Sequence, residues 1–142
     1  STDTFTTLWK QNCLGAFFFG KEVINAMKKE GAGTLFFTGA TASLRSKPSF
    51  TAFASAKFAL RALAQGMARE FAPQGIHVVH TIIDGVIDGE RAKKQFPDYV
   101  RAKGKDGLLA LNAIAETYWA IHQQHPSAWT HELDLRPFKE PF

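Results

Sequence analysis

The sequence predicts an α/β fold, a doubly wound parallel sheet with helices on both faces, to which this chain contributes about three strands and three helices. Two observations lead to this prediction. Helical and strand-like segments alternate along the chain between Gly and Pro residues, and two strand-like segments are short, mostly apolar runs typical of buried parallel strands. We therefore expect right-handed crossovers and a ligand crevice at the carboxyl ends of the strands.

Three segments carry apolar residues at helical spacing and end near Gly or Pro. These predicted helices are residues 3–30, 51–71 and 108–122. Thr2 or Asp3 can cap the first helix, and Gly31 follows its last turn. Gly15 and Gly20 inside this helix leave room for close packing against a neighbouring element.

Three further segments are predicted strands. They are residues 34–38, 76–83 and 128–135. The first lies between glycines, the second is rich in β-branched residues, and the third alternates between apolar and polar residues. The basic stretch that follows Asp84-Gly85, to about Gly107, is predicted to be irregular.

The composition is that of one globular domain: 142 residues, of which 45% are apolar and 21% charged. We expect most of the 13 phenylalanines in the core, so the net charge of +4 does not indicate a nucleic-acid surface. No apolar stretch reaches ~18 residues and no signal-peptide pattern opens the chain, so we expect a cytoplasmic protein without a membrane segment. The single cysteine, Cys13, cannot form an internal disulfide.

The start of the second predicted helix carries an unusual pair of side chains. Phe53 and Lys57 are four residues apart and therefore share one face of the helix. A lysine on that face either extends past the edge of the core to water or serves a site.

Four stretches of the chain form an ordered pattern: Asn12 within residues 9–17, the strand and loop 35–43, Phe53-Ala54-Ser55-Ala56-Lys57, and Ile83-Asp84-Gly85-Val86-Ile87-Asp88. In this order they resemble the short-chain dehydrogenase/reductase family, whose members have a Rossmann-like fold. The third stretch is similar to the Tyr-x-x-x-Lys motif of the family. The resemblance implies NAD or NADP as cofactor and hydride transfer to or from a small-molecule carbonyl or alcohol.

The family pattern assigns roles to particular positions. By this resemblance, Lys57 matches the lysine that binds the nicotinamide ribose and lowers the pKa of the catalytic tyrosine. Asn12 matches an asparagine that supports a proton-relay water, and its alternative interpretation is a polar residue in a helix interior. Asp84-Gly85 stands where the family often has Pro-Gly, and the resemblance implies that Asp84, Gly85 and Val86 bind the cofactor. The family residue that contacts the nicotinamide amide falls near Asp88.

The sequence departs from the family at the two hydroxyl groups that act on the substrate. Phe53 replaces the acid/base tyrosine and has no proton to exchange. The position of the substrate-polarising serine is Ala40, so we consider the neighbouring Thr41, which could instead bond nearby backbone. Tyr99 is a candidate replacement for the missing phenol, or a loop aromatic that packs on its neighbours.

We expect no metal site. Asp84 and Asp88 lack a histidine or third carboxylate at ligand spacing, and His77 and His80 should point to opposite faces of their strand.

The Gly-rich phosphate loop of a dinucleotide site does not occur in these 142 residues. We therefore expect the chain to be the C-terminal half of a single domain, with an unpaired strand edge at residues 34–38 and weak cofactor binding by itself. By the family resemblance, a homodimer or homotetramer through the two long helices is expected. Small residues that fit such helix contacts are Gly15, Gly20, Ala59, Ala62 and Gly66.

Two alternatives stay open. The chain could belong to a catalytically impaired relative that binds nucleotide or partners. It could also be a small regulatory or flavodoxin-like domain with a complete sheet of its own.

Overall fold

The computed structural model describes residues 1–141 and contains a three-stranded sheet with helices on both faces. The α-helices are α1 (Thr2–Trp9), α2 (Gly15–Glu30), α3 (Thr51–Phe71), α4 (Glu90–Gln95), α5 (Pro97–Lys103) and α6 (Leu111–His122). The strands are β1 (Gly33–Ala40), β2 (Ile76–Ile83) and β3 (Glu132–Leu135). A π-helical turn, Lys10–Leu14, joins α1 to α2.

The sheet is parallel throughout, in the order β1-β2-β3. β1 and β2 pair over eight residues, from Gly33 opposite Ile76 to Ala40 opposite Ile83. Within residues 1–141, β1 has a strand neighbour on one side only, as expected for its unpaired edge. The predicted α/β, Rossmann-like fold class is confirmed.

The two faces of the sheet carry different helices. Leu35 and Phe37 of β1 belong to the main core with residues of α2 and α3, whereas the Phe36 ring on the other face stacks on Tyr118 of α6 at 4.6 Å. The β1-α3-β2 and β2-α6-β3 connections each lead to the next strand in the same direction across the sheet. Their helices, α3 and α6, lie on opposite faces of the sheet. The two connections therefore have opposite hands, so the expectation that every crossover is right-handed is wrong.

The first predicted helix forms as α1 and α2, which a π-helical turn joins without a break in the helix. Its cap is Ser1, whose Oγ accepts from the Thr4 amide at 3.2 Å, and not Thr2 or Asp3. The helix ends at Gly31, which has a left-handed φ of 69°. Between the two α-helical parts, residues Lys10–Leu14 form a π-helical turn, a feature that inserts an extra residue into a helix and often marks functional sites.

The stretch after β2 is not irregular as predicted. It forms the short helices α4 and α5, because Gly89 precedes the first and Pro97 is suited to the first turn of the second. The next helix, α6, begins at Leu111 instead of residue 108. Leu109 is still extended there, since its amide donates to Val86 O at 2.9 Å.

The last strand is shorter than the predicted 128–135. Pro126–Ala128 form a 3-10 turn, and β3 covers Glu132–Leu135. Thr130 accepts a hydrogen bond from the His77 ring instead of pairing along the ladder, and Trp129 stacks on the same ring at 4.6 Å.

Many phenylalanines are exposed, so the expectation that most of them lie in the core is wrong. The exposed ones are Phe5, Phe17, Phe18, Phe19, Phe50, Phe58, Phe96 and Phe138. Consecutive helical residues point in different directions, and the buried stripe of α2 runs through Gly20 and Ile24. Gly20 packs within this chain: an added Cβ would lie 2.9 Å from Phe37 Cζ. None of the helices in residues 1–141 is both long and apolar enough to cross a membrane.

A polar network connects α3, β2 and β3. Arg61 donates to both carboxylate oxygens of Glu132, at 2.8 and 2.7 Å, and His80 Nδ1 lies 2.9 Å from Glu132 Oε2. Burial lowers the pKa of His80, so its ring is neutral and donates Nδ1–H to the carboxylate. The Arg61 hydrogen bonds lower the pKa of Glu132 and keep it ionised. The network fixes β3 against α3.

We expect Glu132→Gln in the complete protein to lower the free energy of unfolding by about 2 kcal/mol, because hydrogen bonds to a charged acceptor are lost around partly buried donors. Urea titration at pH 7 would measure this change. Glu116→Gln on α6, where the side chain is exposed, is the matched control. Equal stability of the two variants would contradict a stabilising role for the network.

Candidate active site

A crevice of about 510 Å³ lies at the carboxyl ends of β1 and β2, where the fold class predicts the ligand site. Its lining residues come from the ends of both strands, the start of α3, α5 and the C-terminal segment. They are Ala40, Thr41, Ala42, Arg45, Ser46, Lys47, Phe50, Phe53, Ile83, Asp84, Gly85, Val86, Tyr99, Glu140 and Pro141. The crevice thus brings together most of the residues singled out in the sequence; Lys57 and Asn12 are outside this lining.

The strand register explains how distant residues meet here. Ala40 is paired with Ile83, so the residues that follow them, Thr41 and Asp84, leave the sheet side by side. Thr41 begins a 3-10 turn that closes with Ser43 Oγ accepting from the Ala40 amide at 3.1 Å. The Ser43 hydroxyl is fully buried under this turn and does not reach the crevice.

Asp84 is the buried charge of the crevice, with 2% of its surface exposed. It accepts from Thr41 Oγ1 at 2.5 Å and from Arg45 Nη2 at 3.3 Å, and Arg136 Nη2 lies 3.2 Å from its second oxygen. Two guanidinium groups and a hydroxyl therefore compensate one carboxylate. Sequence reasoning missed both arginines, because each is about 40 or more positions from Asp84 and no local spacing connects them.

Thr41 has an unexpected partner. Its hydroxyl donates to the Asp84 carboxylate and not to nearby backbone. A hydroxyl has one proton, so Thr41 Oγ1 presents acceptor lone pairs to a ligand in this arrangement. Its predicted role in polarising a carbonyl oxygen, which needs a donor, stays a prediction.

Lys57 is directed at the end of β1. Its Nζ donates to Thr38 O at 3.0 Å and lies 5.8 Å from the centre of the Phe53 ring. Partial burial lowers the pKa of Lys57. The ammonium group is thus held by backbone beside Phe53, and one of its three N–H groups is used.

Asn12 lies in the π-helical turn. Its Nδ2 donates to Leu8 O at 3.0 Å, so the amide is engaged within its own helix. This contact agrees with the interpretation of a polar residue in a helix interior, and the proton-relay role stays a prediction.

The turn after Asp84 is held by its neighbours. Gly85 has a φ of 151°, and an added Cβ would lie 2.9 Å from Pro137 Cδ, so a side chain is disfavoured here. Val86 O accepts from the Leu109 amide at 2.9 Å, and the Asp88 amide donates to Leu109 O at 2.8 Å. The turn of residues 84–86, which the resemblance assigns to cofactor binding, is therefore fixed at the crevice.

Asp88 forms an ion pair with Lys93, whose Nζ lies 3.2 Å from Asp88 Oδ1. His77 and His80 contact different partners on opposite faces of β2, Trp129 and Glu132 respectively. Among residues 1–141, no three His, Cys, Asp or Glu side chains are grouped to hold a metal ion.

Comparison with known families identifies the class. Residues 1–100 match the family described as short chain dehydrogenase, and the chain belongs to this family. A short-chain dehydrogenase from Rhodopseudomonas palustris has a similar structure, with 42% sequence identity and a TM-score of 0.75. The match covers 97% of this chain and 54% of that protein.

Other similar proteins are more distant. An alcohol dehydrogenase from Thermococcus sibiricus, solved with 5-hydroxy-NADP, has a TM-score of 0.76 at 22% identity, which shows the shared fold over 99% of this chain and 57% of that one. The 3-ketodihydrosphingosine reductase of Mus musculus is 33% identical over 75 residues, which are 53% of this chain and 23% of the reductase. The chain therefore spans little more than half of these structures and a smaller part of the reductase.

We expect Asp84→Asn in the complete protein to lower the free energy of unfolding by about 2–3 kcal/mol, because Arg45 and Arg136 would lose a buried counter-charge. Denaturant unfolding would measure the loss. Asp88→Asn, which removes a more exposed carboxylate, should cost less than about 1 kcal/mol. A cost as small for Asp84→Asn would contradict the expectation that the buried cluster contributes more to stability than an exposed ion pair.

Proposed function

We propose that the complete protein is an NAD(P)-dependent oxidoreductase that transfers hydride between the nicotinamide and a carbonyl or alcohol carbon of a small molecule. The observation that carries this proposal is the placement of Lys57, a half-buried lysine held at the end of β1 beside the crevice. Family membership supports the same activity. The 5-hydroxy-NADP in the T. sibiricus structure supports a nicotinamide cofactor without deciding between NAD and NADP.

The residues present are suited to the nicotinamide end of such a cofactor. Lys57 Nζ uses one N–H for Thr38 O and has two further donors for ribose hydroxyls. Gly85 and Val86 bring backbone close to the crevice in a turn that Leu109 holds. When bound, the nicotinamide supplies or accepts the hydride.

We further propose that the phosphate-binding loop belongs to a part of the same domain that precedes these residues in the complete protein. The free edge of β1 supports this division, since the sheet of a complete domain would continue there. The exposed Phe17, Phe18 and Phe19 on α2 support a homodimer or homotetramer that uses the long helices.

The residues at and beside the crevice are suited to different tasks, and the residue at position 53 is not suited to proton transfer. Phe53 contributes an apolar ring that has no exchangeable proton. Lys57 is suited to holding the cofactor, and Thr41 to accepting a hydrogen bond from a substrate hydroxyl. Proton exchange therefore has to come from a group other than the residue at position 53.

A second candidate function is nucleotide binding without catalysis. It is favoured by the two altered hydroxyl positions: Phe53 has no hydroxyl, and the Thr41 proton is engaged by Asp84. Such a protein would bind the cofactor and turn over no carbonyl or alcohol.

We expect Lys57→Met in the complete protein to weaken NADPH or NADH binding at least about tenfold, because charged hydrogen bonds to the ribose are lost. Fluorescence titration of the reduced nucleotide would measure the dissociation constant. Lys29→Met, on the exposed end of α2, is the control and should leave binding unchanged. Unchanged binding by Lys57→Met would show that Lys57 does not bind the cofactor.

We expect Phe53→Tyr to raise kcat on a panel of carbonyl substrates about a hundredfold, because it adds a phenol beside the Lys57 ammonium. The rate is followed at the nicotinamide absorbance, with Phe58→Tyr on the exposed face of α3 as the control. Nucleotide binding without turnover by either the wild type or Phe53→Tyr would favour the non-catalytic candidate. Failure of the wild type to bind either nucleotide would exclude both functions.

A further inference from the structure

A tyrosine-lysine pair on α5 lies at the crevice, with the tyrosine in its lining. Residues 99–103 are Tyr-Val-Arg-Ala-Lys, and in α5 the four-residue spacing places Tyr99 and Lys103 on one face. Tyr99 lines the same crevice as Phe53. Of the two tyrosines in the chain, it is the one that does so, because the Tyr118 hydroxyl bonds Thr38 Oγ1 at 2.9 Å outside the lining.

Lys103 is held in place next to the Tyr99 ring. Its Nζ lies 5.3 Å from the ring centre and donates to Glu140 Oε2 at 2.7 Å. The bond to Glu140 raises the pKa of Lys103, so the ammonium stays charged. Lys139 Nζ donates to Lys105 O at 2.8 Å, which ties the C-terminal segment carrying Glu140 to the loop after α5.

The Thr41 and Asp84 side chains of the crevice are already engaged by other groups. The Thr41 proton is engaged by Asp84, and the Asp84 carboxylate is compensated by two arginines. Lys103 is paired with Glu140. Tyr99, in contrast, brings a phenol to the lining of the crevice, and the Lys103 ammonium lies beside its ring.

We propose that Tyr99 is the catalytic acid/base of this site and that Lys103 is its positioning residue; this inference rests on the proposed oxidoreductase function. In the reductive direction, hydride bonds to the carbonyl carbon while the C=O π pair moves to the oxygen. That oxygen takes the proton of Tyr99, giving the alcohol, and the phenolate regains a proton from water at its exposed side. Oxidation of an alcohol runs through the same steps in reverse.

The closing experiment compares Tyr99→Phe with Tyr118→Phe, the matched removal of the other phenol, in the complete protein. NADPH and NADH binding is measured by fluorescence, and turnover of a carbonyl panel is followed at the nicotinamide absorbance. Tyr99→Phe should lower kcat at least about a hundredfold, while the nucleotide dissociation constant changes less than about twofold. Tyr118→Phe should keep kcat within about threefold of the wild type.

Lys103 is tested by a readout that a structural role would not move. Lys103→Met should lower kcat about tenfold with KM unchanged, and Lys103→Arg should recover part of the loss, because the positive charge acts on the reacting phenol. A rise in KM with kcat unchanged would overturn the positioning role.

The remaining outcomes separate this inference from the proposed function. Wild-type activity that survives in Tyr99→Phe overturns the role of Tyr99 and leaves the oxidoreductase standing. Nucleotide binding with no turnover of the panel by the wild type also overturns it and identifies a nucleotide-binding protein. Failure of the wild type to bind NADPH or NADH overturns the proposed function itself.

Discussion

The parallel register of β1 and β2 is the constraint on which the site depends. Their eight paired residues end together at Ala40 and Ile83. The segments that follow the two strands therefore leave the sheet at one point, which places Thr41 beside Asp84. A slip of one residue would turn every side chain of a strand to the opposite face. The core residues Leu35 and Phe37 would then meet α6 instead of α3, so burial of the core and assembly of the crevice are fixed by the same pairing.

Asp84 makes this crevice electrostatically unusual, because a carboxylate with 2% exposure occupies the position of a neutral proline in the family pattern. Burying one charge without partners costs several kcal/mol, and two arginines offset that cost from distant parts of the chain. One of them, Arg136, follows β3 directly and also donates to Pro141 O at 2.8 Å. The ion cluster thus connects the end of β2 to the C-terminal segment that forms the far wall of the crevice.

Much of this architecture could be predicted from the sequence, and the failures have local causes. Helix α3 and strand β2 were predicted with their observed bounds, since both have strong periodicity and clear terminators. The opposite hand of the last crossover depends on which face α6 packs against, which its own periodicity does not encode. The hydrogen bond of the Thr41 hydroxyl could not be predicted either, because its partner Asp84 lies 43 positions away in the sequence.

In the proposed function, holding a cofactor and moving a proton are assigned to different residues. A lysine that merely avoided the core would extend to water, whereas Lys57 turns to the Thr38 carbonyl and keeps two donors. Its contact with the Phe53 ring is an attraction of about 0.5–1 kcal/mol, too weak to explain that orientation alone. A phenol beside Lys57 would combine both tasks on α3. With Phe53 there, the proposed function leaves α3 with the binding group alone, and it requires a proton donor from another element at the crevice.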